Sequence, residues 1–428
     1  MRVYVINQRK QPLMPTMPSK ARKLLKEGKA KVVKRTPFTI QLLTATGEAK
    51  QDIILGVDAG SKNIGLSAVT EKEEVFSAEV ELRNDIVDLL STRRQNRRTR
   101  RNGLRYRKPR FLNRVSTKKE GWLAPSVQHK VDSHLRVIEK LHQILPITRI
   151  VVEVASFDIQ KIKNPDISGT EYQQGEQLGF WNVREYVLFR DGHRCKGKKG
   201  CKNRILNVHH IESRKTGGDS PDNLITLCED CHSDYHNGKL KLNLKRGQSF
   251  KDATFMGIMR WTFYNKLKEF YSNVSLTYGY VTKNTRIRNN LPKEHRVDAL
   301  CITGNPNIKR LDNWYYIKQT RKHNRQIHKA NILKGGVKKL NQAPYLVKDF
   351  RLFDKVLFEG QECFIFGRRS TGYFDLRTLD GTKIHASASV KKLELLEQRK
   401  SLLTERRKQG VEDSNSSPTL EVGVSLLI

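Results

Sequence analysis

The chain of 428 residues carries 81 Lys and Arg against 44 Asp and Glu, a formal net charge of +37, with 37% hydrophobic residues. Its length implies several domains of about 100–200 residues each, and so large a basic excess points to nucleic acid rather than a membrane, since aromatic-rich amphipathic segments are lacking. No apolar run approaches the ~20 residues that span a bilayer, and the opening MRVYVINQRKQP lacks the apolar core of a secretory leader, so the expected location is the cytoplasm.

Residues 1–52 read as a small basic α+β module, with strands at RVYVI and FTIQLL and a helix after Ser19. Over 53–90, IILGVDAG, NIGLSAVT and EVFSAEVEL are β-rich runs separated by short turns, as in a hairpin meander. Residues 91–125 hold the basic run; positions 93–114 contain ten Arg, one Lys and no acid. Arginines on several faces (Arg94, Arg97, Arg98, Arg101, Arg105) suit a helix embedded in nucleic acid, while a solvated polycation or a nuclear localisation signal is the plainer alternative. In 126–177, Val131, Leu135, Ile138, Leu141 and Leu145 recur at helical spacing, and RIVVEVAS reads as a buried central strand holding one acid, Glu153.

The Cys/His-rich region spans 178–272, after which 273–312 resumes with a strand at SLTYGYVT and a helix at KEHRVDALCITG, so one domain interrupts another. Residues 313–403 join a basic, aromatic stretch (313–343), expected to bind RNA, to short strands and turns (345–397) that suggest a small barrel, and a disordered tail is expected over 404–428.

Cys301 and Cys363 stand alone, but Cys195, Cys201, Cys228 and Cys231 cluster, and in a reducing compartment that grouping argues for metal: four soft ligands for a structural Zn²⁺. His209 and His210 are adjacent on a probable strand, so they face opposite sides. His232 and His236 stand four apart and share a helix face, a natural chelating pair. Asn223, in the turn GGDSPDN, can tie that loop by side-chain hydrogen bonds. Asp58 ends a strand before Ala-Gly, Glu153 sits mid-strand, and His295 and Asp298 lie three apart on one helix; three carboxylates in this arrangement suit two-metal phosphodiester hydrolysis.

The strand, loop and helix carrying His-His…Asn…His-x3-His resemble the HNH, or ββα-metal, nuclease motif. That resemblance implies His210 as general base, His209, His232 and His236 as holders of one Mg²⁺, and Asn223 as a brace. The order Asp58, Glu153, His295-x2-Asp298 resembles the RuvC-like nucleases of the RNase H fold, with two Mg²⁺ at the carboxylates. An HNH domain inserted between the second and third RuvC segments, an Arg-rich helix after the first, and PLMPTMPSKAR near the start are together similar to the IscB family of transposon-encoded, RNA-guided nucleases, relatives of the CRISPR type II effectors.

The expected fold is therefore α/β and multidomain: a split RNase H-like domain with an inserted HNH domain, a bridge helix, an N-terminal α+β module and a C-terminal barrel-like domain contacting a flanking DNA motif. The resemblance implies a monomeric ribonucleoprotein acting at the bacterial nucleoid. Its partners are a guide (omega) RNA, bound through Arg93, Arg94, Arg97, Arg98, Arg100, Arg101, Arg105 and Arg107, and a double-stranded DNA target. The HNH site would cut the guide-paired strand and the RuvC site the displaced one. A guide-free homing or repair endonuclease, which has less need of the Arg helix, and a non-catalytic zinc protein, which has no need of the carboxylates, are the alternatives.

Overall fold

The computed structural model describes residues 2–101, 122–154, 182–198, 200–213, 221–242, 244, 251–321 and 344–409, without the side chains of 98–101 and 251–254. The chain divides into two compact units: Met1–Ala155 with Met259–Ile428, and Ser156–Ile258. Its elements begin with β1 (Val3–Ile6), β2 (Pro12–Thr16), α1 (Pro18–Lys26), β3 (Ala30–Lys34) and β4 (Thr39–Leu42). Then follow β5 (Ile54–Ala59), β6 (Asn63–Val69), β7 (Glu74–Glu81), α2 (Ile86–Arg101), α3 (Pro125–His142) and β8 (Arg149–Val154). The smaller unit contributes α4 (Val183–Arg190), β9 (Leu206–His210), β10 (Leu224–Cys228) and α5 (Glu229–His236), and α6 (Lys251–Phe270) crosses its boundary. The chain continues through β11 (Val274–Tyr278), α7 (Gly279–Arg288), α8 (His295–Ile302), β12 (Asn313–Gln319), β13 (Lys355–Phe358), β14 (Gln361–Arg368), β15 (Tyr373–Arg377), β16 (Lys383–Ser389), β17 (Leu393–Glu397) and β18 (Leu402–Lys408).

The larger unit is organised by a seven-stranded sheet of order β11-β8-β5-β6-β7-β12-β18. The meander β5–β6–β7 is antiparallel, as its short turns require, whereas β8 and β11 return parallel to β5. Interior position explains why β8 is buried along all but its first residue. Gly56 and Asp58 on β5 and Gly65 on β6 share one face, because side chains alternate along a strand and Asp58 pairs with Gly65. Helix α8 lies against that face so closely that a Cβ on Gly56 would sit 2.0 Å from the Ala299 carbonyl oxygen, and one on Gly65 1.9 Å from that of His295. The buried face of α3 carries Val127, Val131, His134, Val137, Ile138 and Leu141. His134 and Val137 thus take places that the apolar spacing gave to Leu135, which is half-buried.

The N-terminal module is a four-stranded sheet (β2-β1-β4-β3) with α1, around Val3, Val5, Leu13, Ala21, Ile40 and Leu42. It is tied to the C-terminal strands by the buried Lys355, whose Nζ meets Thr36 Oγ1 at 3.1 Å and Glu362 Oε2 at 2.6 Å. A buried ammonium requires such partners.

Several expected boundaries shift. Strands β12 and β18 pair along their full length inside the seven-stranded sheet, so 313–319 does not belong to the basic stretch beyond it, and the expected tail from 404 begins instead as a strand. The expected barrel is an open antiparallel sheet, β16-β15-β14-β13-β17; its edge strands pair with their inner neighbours and not with each other, and closure needs that pairing. Helix α2 starts at Ile86. The strand expected over SLTYGYVT ends at Tyr278, where α7 begins. Residues 259–272, expected in the inserted domain, fall with the larger unit, where Met259, Phe263 and Leu267 are buried. Residues 322–343 and 410–428, with their expected RNA-contacting and tail roles, lie outside the described residues. No described helix is long and apolar enough to cross a membrane.

Gly65→Ala is expected to cost stability at or above the upper end of the ~1–3 kcal/mol typical of overpacking, since the obstructing atom is backbone. Thermal melting of the purified variant checks this, and an unchanged midpoint would contradict the close seating of α8.

Candidate metal centres and active sites

Asp58 and Glu153 each follow the paired residues Val57 and Val152 of neighbouring parallel strands, so they emerge side by side on one face. The seating of α8 brings His295 to them: its Nδ1 lies 2.7 Å from Asp58 Oδ2, and its Nε2 is 3.4 Å from Asn63 Nδ2. Two arginines absent from the expected site complete the cluster. Arg260 of α6 donates from NH1 to Glu153 Oε1 (2.9 Å) and from Nε to the Ala59 carbonyl (2.8 Å), with NH2 3.6 Å from Asp58 Oδ1. Arg286 of α7 forms an ion pair with Asp298, its Nε 2.9 Å from Oδ1 but with the N–H not aimed along that line.

Charge crowding is evident in the titration of these groups. Burial, then the Asp58 charge, raises the Asp298 carboxyl to about 6 against the opposing pull of Arg286. The same two causes raise Glu153, opposed by Arg260. The hydrogen bond to Asp58 outweighs burial and raises the His295 imidazole. His134 of α3 is wholly buried and held neutral, pushed down to about 4 by desolvation, with its ring 5.1 Å from that of Phe263.

Crowded carboxylates with raised pKa values are a chemistry that suits added cationic charge. Among the described residues, however, the groups of three or more His, Cys, Asp or Glu whose donor atoms approach within 4.8 Å are the four cysteines and three of the histidines. Asp58, Glu153 and Asp298 share one end of the sheet, with guanidinium groups supplying the positive charge between and beside them.

The smaller unit is built on the hairpin β9–β10 followed by α5. His209, buried on β9, meets His232 and His236 of α5 with ring centroids 5.1 and 5.0 Å away, and those two are 4.6 Å apart. Burial, then the neighbouring imidazoles, pushes His209 down to about 4, and burial lowers His232 as well. Neutral ring nitrogens converging in this way are the donor set of a divalent-metal site. His210, the next residue on the strand, is half-buried. Asn223 is fully buried and clamps the segment after His210: Oδ1 accepts from Glu212 N (2.8 Å) and Nδ2 donates to Glu212 O (3.0 Å).

Cys195, Cys201, Cys228 and Cys231 bring their sulfurs within 4.8 Å of one another, with Cys201 and Cys228 3.5 Å apart, and none forms a disulfide. Backbone amides of Gly197 and Cys228 point at Cys195 Sγ, and that of Cys231 at Cys228 Sγ. Burial pushes the Cys228 thiol up to about 12 and raises Cys231; at Cys195 burial also raises the thiol, but the Cys228 and Gly197 amides together with the Cys228 and Cys231 sulfurs lower it further than burial raises it. Four thiolates cannot share this space without a cation, and amide-solvated sulfurs at tetrahedral reach fit Zn²⁺.

Arg93, Arg94 and Arg97 lie exposed on α2. The side chains of Arg98, Arg100 and Arg101, and residues Arg105 and Arg107, lie outside the described residues. Arg260 had a legible signal: it stands three and seven residues before the buried Phe263 and Leu267, a charge on an inward helix face. Arg286 carried none.

Residues 3–175 match the family model "RRXRR protein", and Arg97-Arg98-Thr99-Arg100-Arg101 reads as that pattern; residues 193–238 match the "HNH endonuclease" model. Among curated proteins, anaredoxin of Nostoc sp. (strain PCC 7120) is 40% identical over 45 residues, 10% of this chain and 59% of that protein. Solved structures of Streptococcus thermophilus Cas9 in complex with the AGAA PAM and the AGGA PAM align at 15% identity over 49% of this chain and 30% of theirs, with TM-scores of 0.33 and 0.35. The chain thus spans 59% of anaredoxin and 30% of each Cas9.

Asp298, raised to about 6, stabilises the metal-free fold at low pH and ceases to do so as pH climbs through that value. Without metal, Asp298→Asn is therefore expected to melt a few degrees above the unsubstituted protein at pH 7.5, the gap closing toward pH 5; a pH-independent gap contradicts this origin. Cys228→Ser is expected to remove one zinc per chain by elemental analysis and to lower the melting point of the smaller unit. Unsubstituted protein without zinc would overturn the assignment.

Proposed function

We propose that this chain is an RNA-guided DNA endonuclease of the IscB type, with two hydrolytic centres, one in each unit. The observation that carries the reading is the convergence of His209, His232 and His236 beside His210 and the Asn223 clamp, within the segment matching the HNH endonuclease model.

In the smaller unit His210 accepts the proton of the attacking water at a ring nitrogen while the water oxygen adds to phosphorus and the 3′-oxygen departs. Asn223 fixes the backbone just after this base. His209, held neutral by burial, and its two partners on α5, His232 and His236, would hold the divalent cation. In the larger unit Asp58, Glu153 and Asp298 would hold Mg²⁺ where the ion displaced the Arg260 and Arg286 guanidiniums that partner them, and His295, hydrogen-bonded to Asp58, stands where a proton can be exchanged. Cations bound at these centres supply Lewis-acid polarisation of the phosphate and stabilise the leaving oxygen.

The sheet supports an RNase H-like, RuvC-type reading of the larger unit: a three-stranded antiparallel meander with the first acid on its first strand, then parallel strands, the second acid on β8. The formal charge of +37 and the exposed arginines of α2 supply a surface for guide RNA and target DNA phosphates. The open sheet β13–β17 is the candidate contact for a flanking DNA motif.

His210→Ala is expected to slow cutting of the guide-paired strand by about 10²–10⁴-fold and leave the displaced strand cut; Asp58→Ala should do the reverse. Denaturing gels with each strand labelled separately read this out, and loss of both cuts from His210→Ala would contradict two independent centres.

A further inference from the structure

Three parallel neighbours, β5, β8 and β11, end side by side at the carboxyl edge of the large sheet, the place where open α/β sheets receive ligands. Two of these ends carry Asp58 and Glu153. The third carries Tyr278, which pairs with Val154, the residue after Glu153. Gly279 follows, so close to the carboxylate that a Cβ there would lie 3.4 Å from Glu153 Oε1, and Tyr280 stands in the first turn of α7.

The two tyrosine rings are stacked, centroids 6.1 Å apart and planes inclined by 11°, yet Tyr278 is 38% and Tyr280 67% exposed. Val281 and Ile287 of the same helix are exposed too. From 271 to 293 the sequence contains no acid but includes Lys283, Arg286, Arg288 and Lys293, and Lys283 and Arg288 face solvent. Solvated aromatic faces framed by basic side chains are costly to leave in water and match one ligand class: a nucleic acid strand whose bases are unpaired. Base faces stack on aromatic rings without regard to sequence, while phosphates meet the cations. A duplex keeps its base faces covered and gains only the phosphate contacts.

We propose that Tyr278 and Tyr280 form a base-stacking platform that grips single-stranded DNA at the carboxyl edge of the sheet, the edge whose neighbouring strand ends carry Asp58 and Glu153. This rests on the reading of the carboxylate centre as a nuclease site and adds how its substrate strand is held. The platform gives a role to an exposed stacked pair with basic neighbours at the sheet edge that also carries Asp58 and Glu153.

The test measures binding without cleavage, in magnesium-free buffer, by fluorescence anisotropy. The probes are a labelled thymidine oligonucleotide, an abasic oligonucleotide of equal length, and a duplex. The full chain, freed of copurified nucleic acid at high salt, is expected to prefer the intact single strand to the abasic one. Changing Tyr278 and Tyr280 together to Leu should shrink that preference by about fivefold or more, with duplex affinity unchanged, and changing both to Phe should retain it. The Phe pair also controls for folding. An undiminished preference in the Leu pair, or equal loss on intact and abasic strands, overturns the platform, the latter pointing to a packing role for the rings. Strand-resolved cutting by Asp58→Ala reports separately on the carboxylate centre, so either idea can fail while the other stands.

Discussion

The close seating of α8 on strands β5 and β6 is the constraint on which the larger unit depends. Gly56 and Gly65 present bare backbone, and the helix rests on it; any side chain at either position would occupy the space of a main-chain carbonyl. Because Asp58 lies on the same face, this contact sets His295 within hydrogen-bonding distance of it and places Asp298 where burial, and then the charge of Asp58, raises its pKa. Arg260 and Arg286 then compensate a density of carboxylates that burial alone would not tolerate.

The smaller unit solves the same problem with fewer residues. Cys228 ends β10 and caps α5, and Cys231 lies in the first turn of that helix, so the sulfur cluster fixes the join between hairpin and helix. His232 and His236 ride on the same helix and His209 on the hairpin. Holding the join therefore holds the imidazoles, and a bound metal would add to what the described core of Tyr186, Val187 and Leu224 supplies.

Local spacing made much of this legible. Four-residue separation put His232 and His236 on one face, Cys228 and Cys231 announced a sulfur site, and the run around Glu153 declared a buried strand, because each signal is written within one element. Contacts between distant elements were not legible in that way. Arg260 reaches Glu153 across 107 residues, and the need for Gly56 and Gly65 arises only when α8 arrives more than 200 positions later. Likewise β18 reads as the start of a polar tail, since its burial comes from pairing with β12 rather than from its own composition. The face of α3 drifted from the apolar spacing because a buried neutral histidine, His134, looks polar in sequence.

In the proposed function, base pairing with RNA, rather than protein side chains, chooses the cut site. The direct measurement is to load the purified chain with guide RNAs that differ only in the guide segment and to map cleavage on one DNA carrying a complement to each. The account predicts that the cut moves to whichever complement the RNA specifies and vanishes without RNA. A cut that stays in place when the guide segment changes, or that needs no RNA, would contradict it.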